Sequence, residues 1–508
     1  MYRRSRQLFL RALGLIYAIA FLSWDAQVEG LVGKNGILPA ADLLQRVQSS
    51  LGASAAHLQL PTLLWLDASD RALHLIARGG CACALLVILG LAPLPLLFAC
   101  FVLYLSLVTT GSVFMNFQWD SLLLEAGLLA ILYAPPVLRL GRAAEPPRAT
   151  RLLLVYLLFR LMFLSGIVKL TWGDHTWRDL SALEYHFYTQ PIPSLLSWWA
   201  QQAGKSAHAV MTAITFGIEI VLPFFFFAPR ALRLVACAAQ IALQLGILAT
   251  GNYGFFNWLA LALCIPLLDD AALDSITPRF LRRPPPDDMQ RPNRIAAVIL
   301  ATCALALFVL QTRELSLGIA PHPREEIKIR HGLYGLYDRA VEKTDAALAV
   351  VAPLRAVNAY GLFRSMTTTR PEITVEGSND GQIWRPYRFK WKPGPVERAP
   401  GFVAPHMPRL DWQMWFAALA GDCKSARWYT LFARRLLQNE PTVTALLDEN
   451  PFPNAPPRLL RSTLSQYRFT TPTERETSGA YWRRSEAGSF CPALMLKDGQ
   501  LQAVGDAP

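Results

Sequence analysis

The sequence predicts an α-helical polytopic membrane domain of about nine spans, followed by a soluble, mostly-β C-terminal domain with a helical insertion. Three observations predict it. Apolar runs of about 15–20 residues recur through the first three-fifths of the chain, and each fits the ~30 Å hydrocarbon core at ~1.5 Å rise per residue. Arginines gather in alternate gaps between these runs, as they do where gaps face the cytoplasm. After Thr312 the long runs stop, and short β-branched or aromatic segments alternate with turn signals. Residues 1–312 are therefore assigned to the transmembrane domain and 313–508 to an extracytoplasmic β-rich domain. The mean hydropathy of +0.27 averages two unlike regimes.

The spans are expected near 8–24, 72–89, 91–108, 120–138, 152–171, 208–228, 232–250, 254–268 and 295–312. The first follows Arg3, Arg4 and Arg6 in the manner of a signal peptide, but no small-residue cleavage site follows it, so it reads as retained. With a cytoplasmic N-terminus, three of the cytoplasmic gaps hold Arg139, Arg142, Arg148 and Arg151, then Arg230 and Arg233, then Arg279, Arg282, Arg283, Arg291 and Arg294. Gaps on the opposite side are poorer in Arg and Lys, and an odd number of crossings places everything after Thr312 outside. The Pro-interrupted pair 72–108 and the short run 254–268 also fit re-entrant segments. The net charge of +12 is thus explained by orientation in a bilayer, with no nucleic-acid partner needed.

Trp172, Trp177, Tyr185, Trp198 and Trp199 crowd one outer gap, as aromatic residues do at a membrane-water interface. Pro284-Pro285-Pro286 with Asp287 and Asp288 reads as a stiff cytoplasmic linker. Beyond the spans, Ile373 to Glu376 and Tyr387 to Trp391 are strand-like, and Ser378-Asn379-Asp380-Gly381 supplies a turn between them. From Asp411 to Leu447 apolar residues recur at helical spacing, broken near Gly421 and Pro441. Strand-like pieces return at Tyr467 to Thr470 and Ala493 to Leu496, an order that suggests a β-sandwich with helices near 411–447.

Several stretches resemble the lipase maturation factor family: GLVGKNGILP at Gly30 to Pro39, FQWDSLLLEAGLLAILYAP at Phe117 to Pro135, FRLMFLSGIVKL at Phe159 to Leu170 and WRDLSALEYHFYTQPIP at Trp177 to Pro193. In the C-terminal region YGLFRSMTTTRPEITVEGSNDG at Tyr360 to Gly381 and FVAPHMPRLDWQMWFAAL at Phe402 to Leu419 continue the likeness. The resemblance implies a membrane-resident factor that helps a secreted lipase, or another exported protein, to fold and assemble, with its C-terminal domain on the folding side. None of the ten asparagines begins an N-x-Ser/Thr sequon, which favours a bacterial inner-membrane protein with a periplasmic C-terminal domain; a eukaryotic member would reside in the endoplasmic reticulum membrane. No cofactor or metal motif stands out, and Cys81-x-Cys83 lacks zinc-site spacing.

Arg160 and Glu219 are the deepest charges in their spans, and an intramembrane ion pair between them is the simplest relief of their burial. Glu125 and Lys169 lie in spans that end close to the loop holding His175 and His186. Together these four residues are the catalytic candidates of an outward-facing polar chamber acting on a lipid or peptide. That alternative draws on a fainter likeness of FLSGIVKL to vitamin K-dependent carboxylase membrane domains; otherwise Lys169 snorkels to the interface. Arg409, Trp412, Met414, Trp415 and Phe416 are candidates for holding a client's exposed apolar patch, or simply belong to a core helix. Six cysteines lie in apolar runs; Cys423 and Cys491 do not, and they either form a disulfide or remain two buried thiols.

Overall fold

The computed structural model describes residues 1–142, 145–278, 294–319 and 333–504. The expected linker from Pro284 to Asp288, with Arg279, Arg282, Arg283 and Arg291, lies outside the described residues. Among the described residues the apolar runs become α1 (Arg3–Asp25), α2 (Asp70–Ile88), α3 (Pro93–Thr110), α4 (Gln118–Tyr133), α5 (Arg148–Thr171), α6 (Lys205–Phe227), α7 (Arg230–Thr250), α8 (Phe256–Leu267) and α9 (Arg294–Ile319). Seven of these are long and apolar enough to cross a membrane, so the chain is an integral membrane protein. The exceptions are α4 and α8. With 16 residues α4 is about 24 Å long at ~1.5 Å per residue, short of the ~30 Å core, and α8 is shorter still. Of the nine expected spans, seven have full length among the described residues, whereas α4 and α8 join the same two ends of the bundle with shorter helices.

The 72–108 segment is two such helices rather than a re-entrant loop. Pro93 opens α3, where proline's missing N–H would have had no partner anyway. Along α6 the backbone passes from α-helix (Lys205–Phe216) through a π-turn (Gly217–Val221) into a 3-10 stretch (Leu222–Phe227). Pro223 is the cause, because it lacks the N–H that an α-helix would send to the Glu219 carbonyl.

The helices run back and forth between two ends. At one end the Asp270 N–H bonds the Met1 carbonyl at 2.9 Å, the Leu140 N–H bonds Gly90 at 2.8 Å, and Arg151 and Arg233 reach the carbonyls of Pro266 and Leu267. This end gathers Arg3, Arg4, Arg6, Arg139, Arg148, Arg151, Arg230 and Arg233, with Asp269 holding the last two. At the other end residues 25–70, 171–205 and 250–256 meet the C-terminal domain.

That domain is entered through α10 (Leu333–Val351), tied to α9 by Arg313 and Asp345 at 2.7 Å. Its strands are β1 (Pro371–Ser378), β2 (Arg385–Pro386), β3 (Arg388–Phe389), β4 (Leu447–Glu449), β5 (Leu459–Phe469), β6 (Trp482–Lys497) and β7 (Gln500–Ala503). The expected sandwich is corrected: one five-stranded antiparallel sheet, ordered β2-β1-β5-β6-β7, stands beside a separate β3-β4 ribbon. Alternation along the strands sends Ile373 and Val375 into the core, where α11 (Arg409–Ala420) packs on β1 and α12 (Arg427–Leu437) on β5 and β6. By register, Glu372, Ser465, Tyr467, Trp482 and Arg484 share the opposite face. A disulfide joins Cys423, between α11 and α12, to Cys491 in β6 with a Cα–Cα distance of 5.4 Å. The two cysteines are 68 positions apart, and closing a loop of that length stabilises by roughly 4 kcal/mol in the chain-entropy treatment.

Candidate functional site: the junction of bundle and C-terminal domain

The FQWD segment starts α4 just where the C-terminal domain sits, so two carboxylates of this short helix meet groups from far along the chain. Asp120 is fully buried and holds Arg409 through two bonds of 2.7 Å each. The Tyr104 hydroxyl donates to Asp120 at 2.6 Å, and Arg409 also donates to the Phe114 carbonyl. Around this pair, Gln27 accepts from the Arg409 N–H and donates to the Met407 carbonyl, while the Ser23 hydroxyl accepts from the Met407 N–H. The guanidinium lies over the rings of Trp24 and Phe117, within reach of a cation–π attraction.

Glu125, also fully buried, forms the second clamp. Its Oε1 accepts from Arg160 at 2.6 Å and Gln311 at 2.9 Å; its Oε2 accepts from the Asn358 N–H, the Asn358 side chain and the Tyr360 hydroxyl at 3.0, 3.1 and 2.6 Å. Arg160 closes the ring by donating to the Asn358 carbonyl at 2.6 Å. Burial and the neighbouring carboxylate hold the Tyr360 hydroxyl well above its ordinary pKa, so it remains a donor. A charge pair this deep depends on further hydrogen bonds: both carboxylate oxygens are filled and both terminal nitrogens of Arg160 donate, while its Nε has no partner among the described residues.

The expected pairing of Arg160 with Glu219 is therefore corrected. Glu219 lies in the π-turn of α6 and bonds Lys169 at 2.6 Å. Arg160 and Lys169 are both on α5, where nine positions turn the helix by about 180°, so one faces Glu125 and the other Glu219. Lys169 also donates to the Ser165 carbonyl and lies over the Trp177 ring, buried rather than snorkelling.

Nor do Glu125, Lys169, His175 and His186 form an outward chamber. Glu125 is saturated with donors, Lys169 is spent on Glu219, and His175 is exposed. His186 meets the Tyr253 hydroxyl at 3.3 Å and the Phe363 ring edge-on; burial, then the charge of Lys169, lowers its pKa to about 4. A histidine so poised is a weak base, and the C-terminal segment 358–363 covers the end of the bundle where a substrate would enter.

The client-binding candidates divide. Arg409 and Trp412 are buried between domain and bundle, Trp412 packing edge-on against Trp119 at 4.9 Å, and Met414 is fully buried in the core, so these three are corrected from a client surface to internal contacts. Trp415 is half-buried and donates to the Thr189 carbonyl, while Phe416 is 44% exposed. Asn358, Tyr360, Gln27 and Tyr104 were not foreseen. Tyr360 does open one of the long motifs, and that was the available signal.

A cleft of about 710 Å³ opens on the sheet face away from α11 and α12. Tyr387, Phe389, Tyr467 and Trp482 line it, with Glu372, Arg388, Lys392, Glu474, Arg483 and Arg484. At its base Glu372 bridges Arg370 and Lys392 at 2.7 and 2.8 Å. Arg370 in turn donates to the carbonyls of Tyr188, Gln190 and Pro191, which fastens the base of the cleft to the outer loop of the bundle.

Comparison with known proteins places this junction in context. The family model described as the lipase maturation factor transmembrane domain matches residues 4–275, and that of the lipase maturation factor C-terminal domain matches residues 356–492. The chain is 36% identical to Lipase maturation factor 2 of Gallus gallus, across 99% of this chain and 83% of that protein. It is 34% identical to Lipase maturation factor 2 of Homo sapiens, across 99% and 84%, and 32% identical to Lipase maturation factor 1 of Bos taurus, across 97% and 89%. No solved structure matches.

Proposed function

The chain belongs to the lipase maturation factor family, and from that premise we propose that it is a membrane-resident factor assisting the folding or assembly of a secreted lipase. The observation that carries this reading is the match to maturation factors over 99% of the chain, bundle and C-terminal domain together. The geometry suits it: the buried acids and bases hold two domains in one fixed arrangement, and the C-terminal domain presents an open cleft. Expressing the full chain with a secreted lipase, in cells lacking their own factor, is expected to raise the active lipase in the medium at unchanged lipase synthesis. Equal activity with and without the chain would sink the reading.

The arginine-rich end of the bundle is proposed to face the cytoplasm, which puts the C-terminal domain in the periplasm of a bacterium or the lumen of the endoplasmic reticulum. Both compartments sustain a disulfide. In protein taken from the membrane under denaturing, non-reducing conditions, Cys423 and Cys491 are expected to resist thiol labelling until a reductant is added. Full labelling without reductant would place the domain in a reducing compartment and overturn this orientation.

A further inference from the structure

We propose that the cleft over the open face of the sheet binds an extended, acidic segment of a partner polypeptide; the identity of that partner as a maturing client rests on the function proposed above. Charge is the first argument. The cleft and its extension carry the cations Arg388, Lys392, Arg483, Arg484, Lys390 and Arg398 against the lining carboxylates Glu372 and Glu474 and the rim carboxylates Glu449 and Asp448 that pair Arg388 and Arg398, a net excess of two positive charges. A smaller pocket of about 230 Å³ shares Lys392, Pro393 and Trp482 with it and adds Lys390 and Arg398. The second argument is shape. At about 710 Å³ plus this extension, the space is far larger than a single phosphate or carboxylate needs and within the range that accommodates a ligand of several residues.

Aromatic side chains supply the third. Tyr387, Tyr467 and Trp482 are nearly buried and form the walls, whereas Arg388 and Arg483 are half-exposed at the rim. An extended segment with alternating side chains would set apolar groups against the walls and carboxylates against the rim. The base is rigid, because Arg370 and Lys392 share Glu372 and Arg370 is bound to three loop carbonyls, so little ordering is needed on binding.

The test uses the full chain in detergent and a fluorescently labelled decapeptide of alternating Glu and Val. It is expected to bind about tenfold or more tightly than the matching Lys/Val peptide, a preference that the double substitution Arg388→Glu, Arg484→Glu should reverse. Equal binding of the two peptides, or of neither, would overturn the proposal. So would displacement of the Glu/Val peptide by short-chain phosphatidylglycerol, which would make the cleft a lipid-headgroup site. In the lipase co-expression assay, a charge-reversed variant that no longer binds the Glu/Val peptide yet raises lipase output fully would remove the cleft as the client site. The unaltered chain is the control there, and its failure would count against the maturation function itself.

Discussion

Glu125→Ala is expected to destabilise the folded protein by about 3–5 kcal/mol, because it strands the Arg160 guanidinium in a fully buried site without its counter-ion. The substitution also deletes the acceptor for Gln311, Asn358 and Tyr360, so the segment after α10 loses its hold on the bundle. A second variant separates the pair from the general effect of altering a core helix. Replacing both partners, Glu125→Leu with Arg160→Leu, removes the stranded charge and is expected to lower the melting temperature less than Glu125→Ala alone. A double variant no more stable than the single one would show that the two charges do not depend on each other.

Arg409→Ala is expected to cost a similar ~3–5 kcal/mol, with a different signature. Asp120 would remain buried with only the Tyr104 hydroxyl to serve it, and the contacts from Ser23 and Gln27 to Met407 would lose their central support. Hydrogen exchange is therefore expected to quicken at residues 23–27 and 406–409 while the backbone near Asn358 and Tyr360 keeps its protection. Unchanged exchange at both places would mean that Arg409 is not the anchor of the C-terminal domain.

Depth along an apolar run was legible in the sequence, and direction around the helix was not. Arg160 and Glu219 were correctly recognised as deep charges. Their partners, however, depend on which face of α5 meets α4 and which meets α6, and no run of letters states that. The group Arg409, Trp412, Met414, Trp415 and Phe416 misleads for a related reason. Trp, Met and Arg beside one another suit a binding surface and an internal joint equally, and only the position of Trp119 opposite decides between them. In the sheet, the middle of β1 and the turn at Asn379 were evident, but β6 was seen only at its apolar end. After the buried Trp482, its first half carries exposed Arg483, Arg484, Ser485 and Glu486, so arginine and serine stand where an apolar alternation marks a strand. The shortness of α4 and α8 is not legible because hydropathy counts apolar residues and not the length at which a helix is interrupted.

The clamp between Asp120 and Arg409 also sets a clock. These two residues are 289 positions apart, and at roughly 5–20 residues per second a ribosome separates their synthesis by roughly 15–60 s. Glu125 meets Arg160 only 35 residues later, so its relief arrives within the time the next helix takes to emerge. Asp120 has no such early cation; until residue 409 has been made, only the Tyr104 hydroxyl serves its carboxylate. A chain that ends before that point therefore holds Asp120 by the Tyr104 hydroxyl alone, without the guanidinium that completes the site in the finished protein.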